Sequence, residues 1–72
     1  MDVSEIQRVL QDRWNLRLED EMSRYVLRRL QGGEAGPLPV MGGDARTGRP
    51  VRAFLPLGDL RAFAAAAAAK NA

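Results

Sequence analysis

An α+β fold is predicted by three observations. Apolar residues recur at helical spacing as far as position 30: Ile6, Val9, Leu10 and Trp14, then Leu18, Met22, Tyr25, Val26 and Leu30. Two short apolar runs, residues 38–41 and 51–55, are bounded by proline and glycine and flank a segment with turn chemistry. A final stretch opens near Gly58-Asp59 and ends in an unbroken alanine run from Ala64 to Ala69. The expected order is one or two N-terminal helices, a two-stranded β-hairpin and a C-terminal Ala-rich helix, in one domain of 72 residues.

Each element has a local reason. Ser4 with Gln7 fits a capping box for the first helix, and Asp2 with Glu5 offers an overlapping one. Projected at about 100° per residue, the two apolar sets of the first half do not share one narrow stripe. Either a single helix is buried over a wide face, or two helices meet near Asn15-Leu16-Arg17. The break is preferred, because Asn tolerates left-handed geometry and Glu19, Asp20 and Glu21 suit the first turn of a new helix. Arg28 and Arg29 suit its last turn, and Gly32-Gly33 its stop.

Residues 31–37 read as a flexible connection. Pro39 cannot donate to a ladder, so the first strand, residues 38–41, is expected at a sheet edge. Asp44 and Gly48 mark the turn, and residues 51–55 form the second strand between Pro50 and Pro56. Leu60, Phe63 and Ala67 make a narrow seam on the last helix. The Ala-rich tail over residues 64–72 is either a close-packing surface or a frayed terminus.

The chain has no cysteine and no histidine, which removes the thiol nucleophile, the commonest general base and the commonest metal ligand. Ser4 and Ser23 have no recognisable activating base. Gly43 and Gly48 have the spacing that opens a phosphate-binding loop. Arg49 and Pro50 then stand where that loop needs Lys and Ser or Thr. No enzyme, cofactor or metal is expected. No apolar run approaches the roughly 18 residues of a membrane span, and acids at Asp2 and Glu5 are unlike a secretory signal, so no membrane association is expected.

The net charge is +2, and its distribution is more informative. Residues 1–31 balance six acids against six arginines, whereas Arg46, Arg49 and Arg52 fall close together on the hairpin. Arginine's planar fork suits carboxylate and phosphate surfaces. The hairpin is therefore the expected contact surface, with Arg46, Arg49 and Arg52 engaging acidic partner groups. Leu55 and Leu57 are expected to be exposed and to bury on docking. A chain of this size without disulfide or metal has a marginal core, so a protein partner or a homo-oligomer is expected to support it.

The second half resembles the small phage head-completion (head–tail joining) proteins of the gpW type. Gly48-Arg49 at the turn, Val51 in the rising strand, and Asp59-Leu60 with Phe63 opening the last helix carry the likeness, over about residues 38–66. It implies a non-enzymatic structural adaptor that docks on an oligomeric ring of protein subunits with hairpin and tail at the contacts. The cytoplasm expected from the missing span and signal then becomes the host cytoplasm or the virion. The hairpin is also similar to the DNA-binding arm of the HU/IHF proteins, through Arg46-Thr47-Gly48 and Val51. Here Asp44-Ala45 replaces that family's Asn-Pro. That likeness implies the alternative of a nucleic-acid-binding or transcription-regulating module. A third reading is a small inhibitor of a host enzyme that works through the helix at 18–30, with Arg24, Arg28 and Arg29 on its contact face.

Overall fold

The computed structural model describes residues 1–70 and contains three helices and one three-stranded antiparallel sheet. Helix α1 (Val3–Trp14) leads through strand β1 (Leu16–Arg17) into helix α2 (Asp20–Gln31). Strands β2 (Leu38–Asp44) and β3 (Pro50–Leu55) form the hairpin, and helix α3 (Leu57–Lys70) follows. The strand order is β1-β2-β3.

Of the two possible caps of α1, Asp2 is the one used: its side chain accepts a hydrogen bond from the Glu5 amide at 2.9 Å. The break between the first two helices is real. Asn15 sits in the left-handed region (φ 50°, ψ 36°), and its amide closes the helix on the Leu10 carbonyl. The two residues that follow then do more than turn the chain. Leu16 and Arg17 pair with Asp44 and Gly43, adding a third strand to the expected hairpin.

Between α2 and β2 lies the segment expected to be a flexible connection. Residues 31–37 are exposed, yet several hydrogen bonds anchor them. The Arg61 guanidinium donates to the carbonyls of Leu30 and Glu34 at 2.9 and 2.7 Å. The Gly58 amide reaches the Ala35 carbonyl at 3.2 Å, and Arg29 pairs with Glu34. Gly36 has φ +82°, and a Cβ there would stand 2.6 Å from the Leu55 carbonyl oxygen and 2.9 Å from the Leu57 nitrogen. Only glycine allows the connection to lie this close to the β3–α3 corner.

The core gathers Ile6, Val9 and Leu10 of α1, Val26 and Leu30 of α2, Leu57, Leu60 and Ala64 of α3, and the inner sheet residues Leu16, Leu38, Val40 and Leu55. Ser23 is the buried polar side chain among the described residues. Its hydroxyl donates to the Glu19 carbonyl and accepts from Gln7, so its burial is compensated. Trp14 meets Phe63 edge to face at 5.8 Å, and the Arg13 guanidinium lies 4.0 Å over the same ring, tying α1 to α3. Helix α3 is continuous to Lys70. Ala64 is buried and Ala67 half-buried, so the first part of the alanine run is a close-packing surface. Asn71 and Ala72, the end of the expected tail, lie outside the described residues.

Two of the expected docking residues belong to this core. Leu55 and Leu57 are both 0 % exposed. Leu55 lies opposite Leu38 on the inner face of the hairpin, and Leu57 opens α3 against the helices. The sequence Ala53-Phe54-Leu55-Pro56-Leu57 carries too many apolar residues for alternation alone to sort them. Closure of α3 over the sheet buries Leu55 and Leu57 and leaves Phe54 outside.

Candidate functional site

The hairpin register fixes which side chains face outward. The Asp44 amide donates to the Arg49 carbonyl at 2.8 Å, which makes this a hydrogen-bonded pair. Alternation along an antiparallel ladder then makes Gly42–Val51, Val40–Ala53 and Leu38–Leu55 hydrogen-bonded pairs as well. Gly43–Pro50, Met41–Arg52 and Pro39–Phe54 are the non-hydrogen-bonded pairs between them. Both prolines thus sit where no amide is needed for the hairpin, which explains how Pro39 enters a strand that has neighbours on both sides. The expected edge strand is thus the central strand of the sheet; because β1 reaches only Gly43 and Asp44, Pro39 itself still has β3 as its one paired neighbour.

The same alternation splits the side chains. Leu38, Val40, Val51, Ala53 and Leu55 face the core. Pro39, Met41, Arg52 and Phe54 face outward, and Phe54 is 69 % and Met41 49 % exposed. Arg17 pairs with Gly43 and joins this outer face, alternating with the buried Leu16 and Leu18. An open groove runs over Gly43 between Arg17, Met41, Arg46 and Pro50, with Glu19 at its rim. A second, smaller hollow lies beside Met41, Arg52 and Phe54.

Of the three arginines expected to act together, Arg46 and Arg52 border this outer face. Arg49 is exposed but lines neither groove. It continues the parity of Val51 and Ala53 and so falls on the other side of the ribbon. Arg17, Met41 and Phe54 were not among the expected contact residues. The signal for them was present: Leu16-Arg17-Leu18 alternates, and Phe54 stands two residues from Arg52.

Asp44 holds the loop that presents the arginines. One carboxylate oxygen accepts from the amides of Arg46 and Thr47 at 2.8 and 2.9 Å, and the other from the Asn15 side chain at 2.9 Å. The Asn15 carbonyl also accepts from the Ala45 amide, fastening the hairpin tip to the end of α1. The Thr47 and Arg46 amides hold the Asp44 carboxyl below its ordinary value. With its folded-state pKa depressed, ionised Asp44 adds stability above its unfolded-state pKa, and that contribution is lost as the pH falls through the depressed value. Asp44→Asn keeps an acceptor oxygen and removes the titration. Urea unfolding followed from neutral pH to below about pH 4 should show wild type losing stability on acidification more steeply than Asp44→Asn. Parallel curves would mean that the Asp44 charge does not support the loop.

The only ion pair within 4.0 Å among the described residues joins Arg29 to Glu34. Arg17, Arg46, Arg49 and Arg52 therefore have no acidic partner within 4.0 Å among the described residues, and the Asp44 carboxylate beside them is taken up by hydrogen bonds. No group of three or more His, Cys, Asp or Glu residues gathers as metal ligands among the described residues. No described helix is long and apolar enough to cross a membrane. Chemically, the outer face offers guanidinium donors beside exposed apolar surface, the combination that binds acidic groups flanked by apolar ones.

No protein-family model, curated protein or solved structure matches the chain.

Proposed function

We propose that this chain is a non-enzymatic binding or assembly protein that docks on an acidic surface of other protein subunits. The outer face of its hairpin makes the contact, as in a viral adaptor seated on an oligomeric ring. The observation that carries the reading is that Arg17, Arg46 and Arg52, without ion-pair partners among the described residues, border the outer face that exposes Met41 and Phe54. Arginine and aromatic residues are the types that concentrate binding energy at protein interfaces. Arg46, Arg52 and Arg17 engage carboxylates, Arg49 contributes long-range attraction, and Phe54 and Met41 bury on docking. Leu55 and Leu57 hold the hairpin on the core and take no part in contact.

The test is capture of the tagged chain from the cells in which it occurs, with and without nuclease, against the variant R46A/R49A/R52A. A stoichiometric protein partner is expected to survive nuclease. Its retention should fall by about tenfold in the variant, since three exposed ion pairs at roughly 0.5 kcal/mol each together supply the roughly 1.4 kcal/mol of a tenfold change. Equal retention by the variant removes the arginines from the mechanism. Release of that partner by substitution of Arg24 and Arg28 instead would make α2 the working face, as an enzyme inhibitor would use it. Retention of nucleic acid that weakens steeply with salt would replace the reading with a nucleic-acid-binding one.

A further inference from the structure

The hairpin has a free edge as well as an outer face. Strand β3 is the last strand of the sheet, and its extensive contacts are with β2 alone. The non-hydrogen-bonded register of Arg52 and Phe54 turns their N–H and C=O groups away from β2. No loop or turn hydrogen bond engages those groups among the described residues. Pro50 before them and Pro56 after them limit the free edge to these two rungs. Side chains at both rungs point to the outer face, one a guanidinium without an acidic partner and the other a ring that is 69 % exposed.

We infer that the β3 edge is a strand-addition site for an extended acidic segment of a partner protein. The segment pairs with the Arg52 and Phe54 backbone and places a carboxylate beside Arg52 and an apolar side chain beside Phe54, two positions apart. The spacing follows from the two-residue period of a strand, which lets backbone bonds supply affinity and alternate side chains supply selectivity. Charge selects the occupant. A second copy added antiparallel would bring one Arg52 edge against another, with Arg46 and Arg49 close by, and like charges across a sheet are destabilising. An acidic segment turns the same arginines into attraction. This deepens the proposed function by naming the geometry and chemistry of its contact, and it rests on that reading.

The probe is a synthetic peptide in which Glu and Val alternate, added to the isotopically labelled full chain while amide exchange is followed residue by residue. Without peptide, the Val51, Ala53 and Leu55 amides should be protected by β2, and those of Arg52 and Phe54 should exchange freely. With peptide, the Arg52 and Phe54 amides should slow by about tenfold or more. N-methylation of the Phe54 amide in a chemically synthesised chain should weaken the peptide by about tenfold, the loss of one hydrogen bond. Exchange in the unmodified chain decides the matter if the N-methylated chain does not fold.

Binding that leaves both amides unprotected but is lost in R46A/R49A/R52A would overturn strand addition and leave the arginine contact standing. No binding of the peptide, or binding of a single-stranded oligonucleotide in its place, would also overturn it. The capture experiment then judges the broader function by itself.

Discussion

Gly36→Ala is expected to lower stability by about 3 kcal/mol or more, combining left-handed backbone strain with a backbone collision. The strain term is roughly 1–2 kcal/mol, because Gly36 has φ +82°. The collision is the larger part. A Cβ would stand 2.6 Å from the Leu55 carbonyl oxygen and 2.9 Å from the Leu57 nitrogen, and neither is the movable end of a flexible side chain. Relief requires the connection to lift off the β3–α3 corner, which would break the Gly58–Ala35 bond. A domain this small is expected to have roughly 4–10 kcal/mol of total stability, so the change removes a large fraction of it. Gly48→Ala is the control, since Gly48 has φ +75° but nothing within 4 Å of the added carbon. Thermal unfolding by circular dichroism should show Gly48→Ala melting modestly lower and Gly36→Ala lower by about 12 °C or more. Equal melting temperatures would mean that the connection is not pressed against the corner.

Leu55→Ala and Phe54→Ala, one residue apart, should differ as sharply. Leu55 is fully buried against Leu38 and the core, and truncation leaves a cavity worth about 2–5 kcal/mol. Phe54 is 69 % exposed, so its truncation should change stability by no more than about 0.5 kcal/mol. Binding should show the opposite order: Phe54→Ala weakens the partner or the acidic peptide while the fold is retained. Urea midpoints for both variants, with peptide titrations for Phe54→Ala, make the comparison. If Leu55→Ala were as stable as Phe54→Ala, the assignment of inner and outer faces would be reversed.

The burial of Leu55 and Leu57 and the exposure of Phe54 are the part of the site that sequence alone misassigned. Two-residue alternation across 51–55 groups Phe54 with Arg52, but the apolar run Ala53-Phe54-Leu55 obscures it, and Leu57 lies beyond the strand where no alternation applies. The arginines were legible because exposure of a charged hairpin tip follows from composition. Their separation was not, since Arg49 and Arg52 differ in parity, and parity depends on the register with β2. Arg17 was hidden for a related reason: a two-residue strand has too short a pattern to be read without the partner that defines it.

By itself the sequence determined the local conformations: the Asp2 or Ser4 start, the break at Asn15, the glycine stop after Gln31, the turn at Asp44 to Gly48 and the helical tendency of the alanine run. These rest on backbone preferences and short-range hydrogen bonds, which neighbouring residues settle among themselves. Only the tertiary structure decided that Leu16 and Arg17 join the sheet, that residues 31–37 are tied down, and that Leu55 and Leu57 are core while Phe54 is surface. Each depends on contacts between residues far apart in the chain. Asn15 is fastened to Asp44, Leu30 to Arg61 and Gly36 to the corner at Leu55, and burial is set by which apolar groups α3 covers when those contacts close.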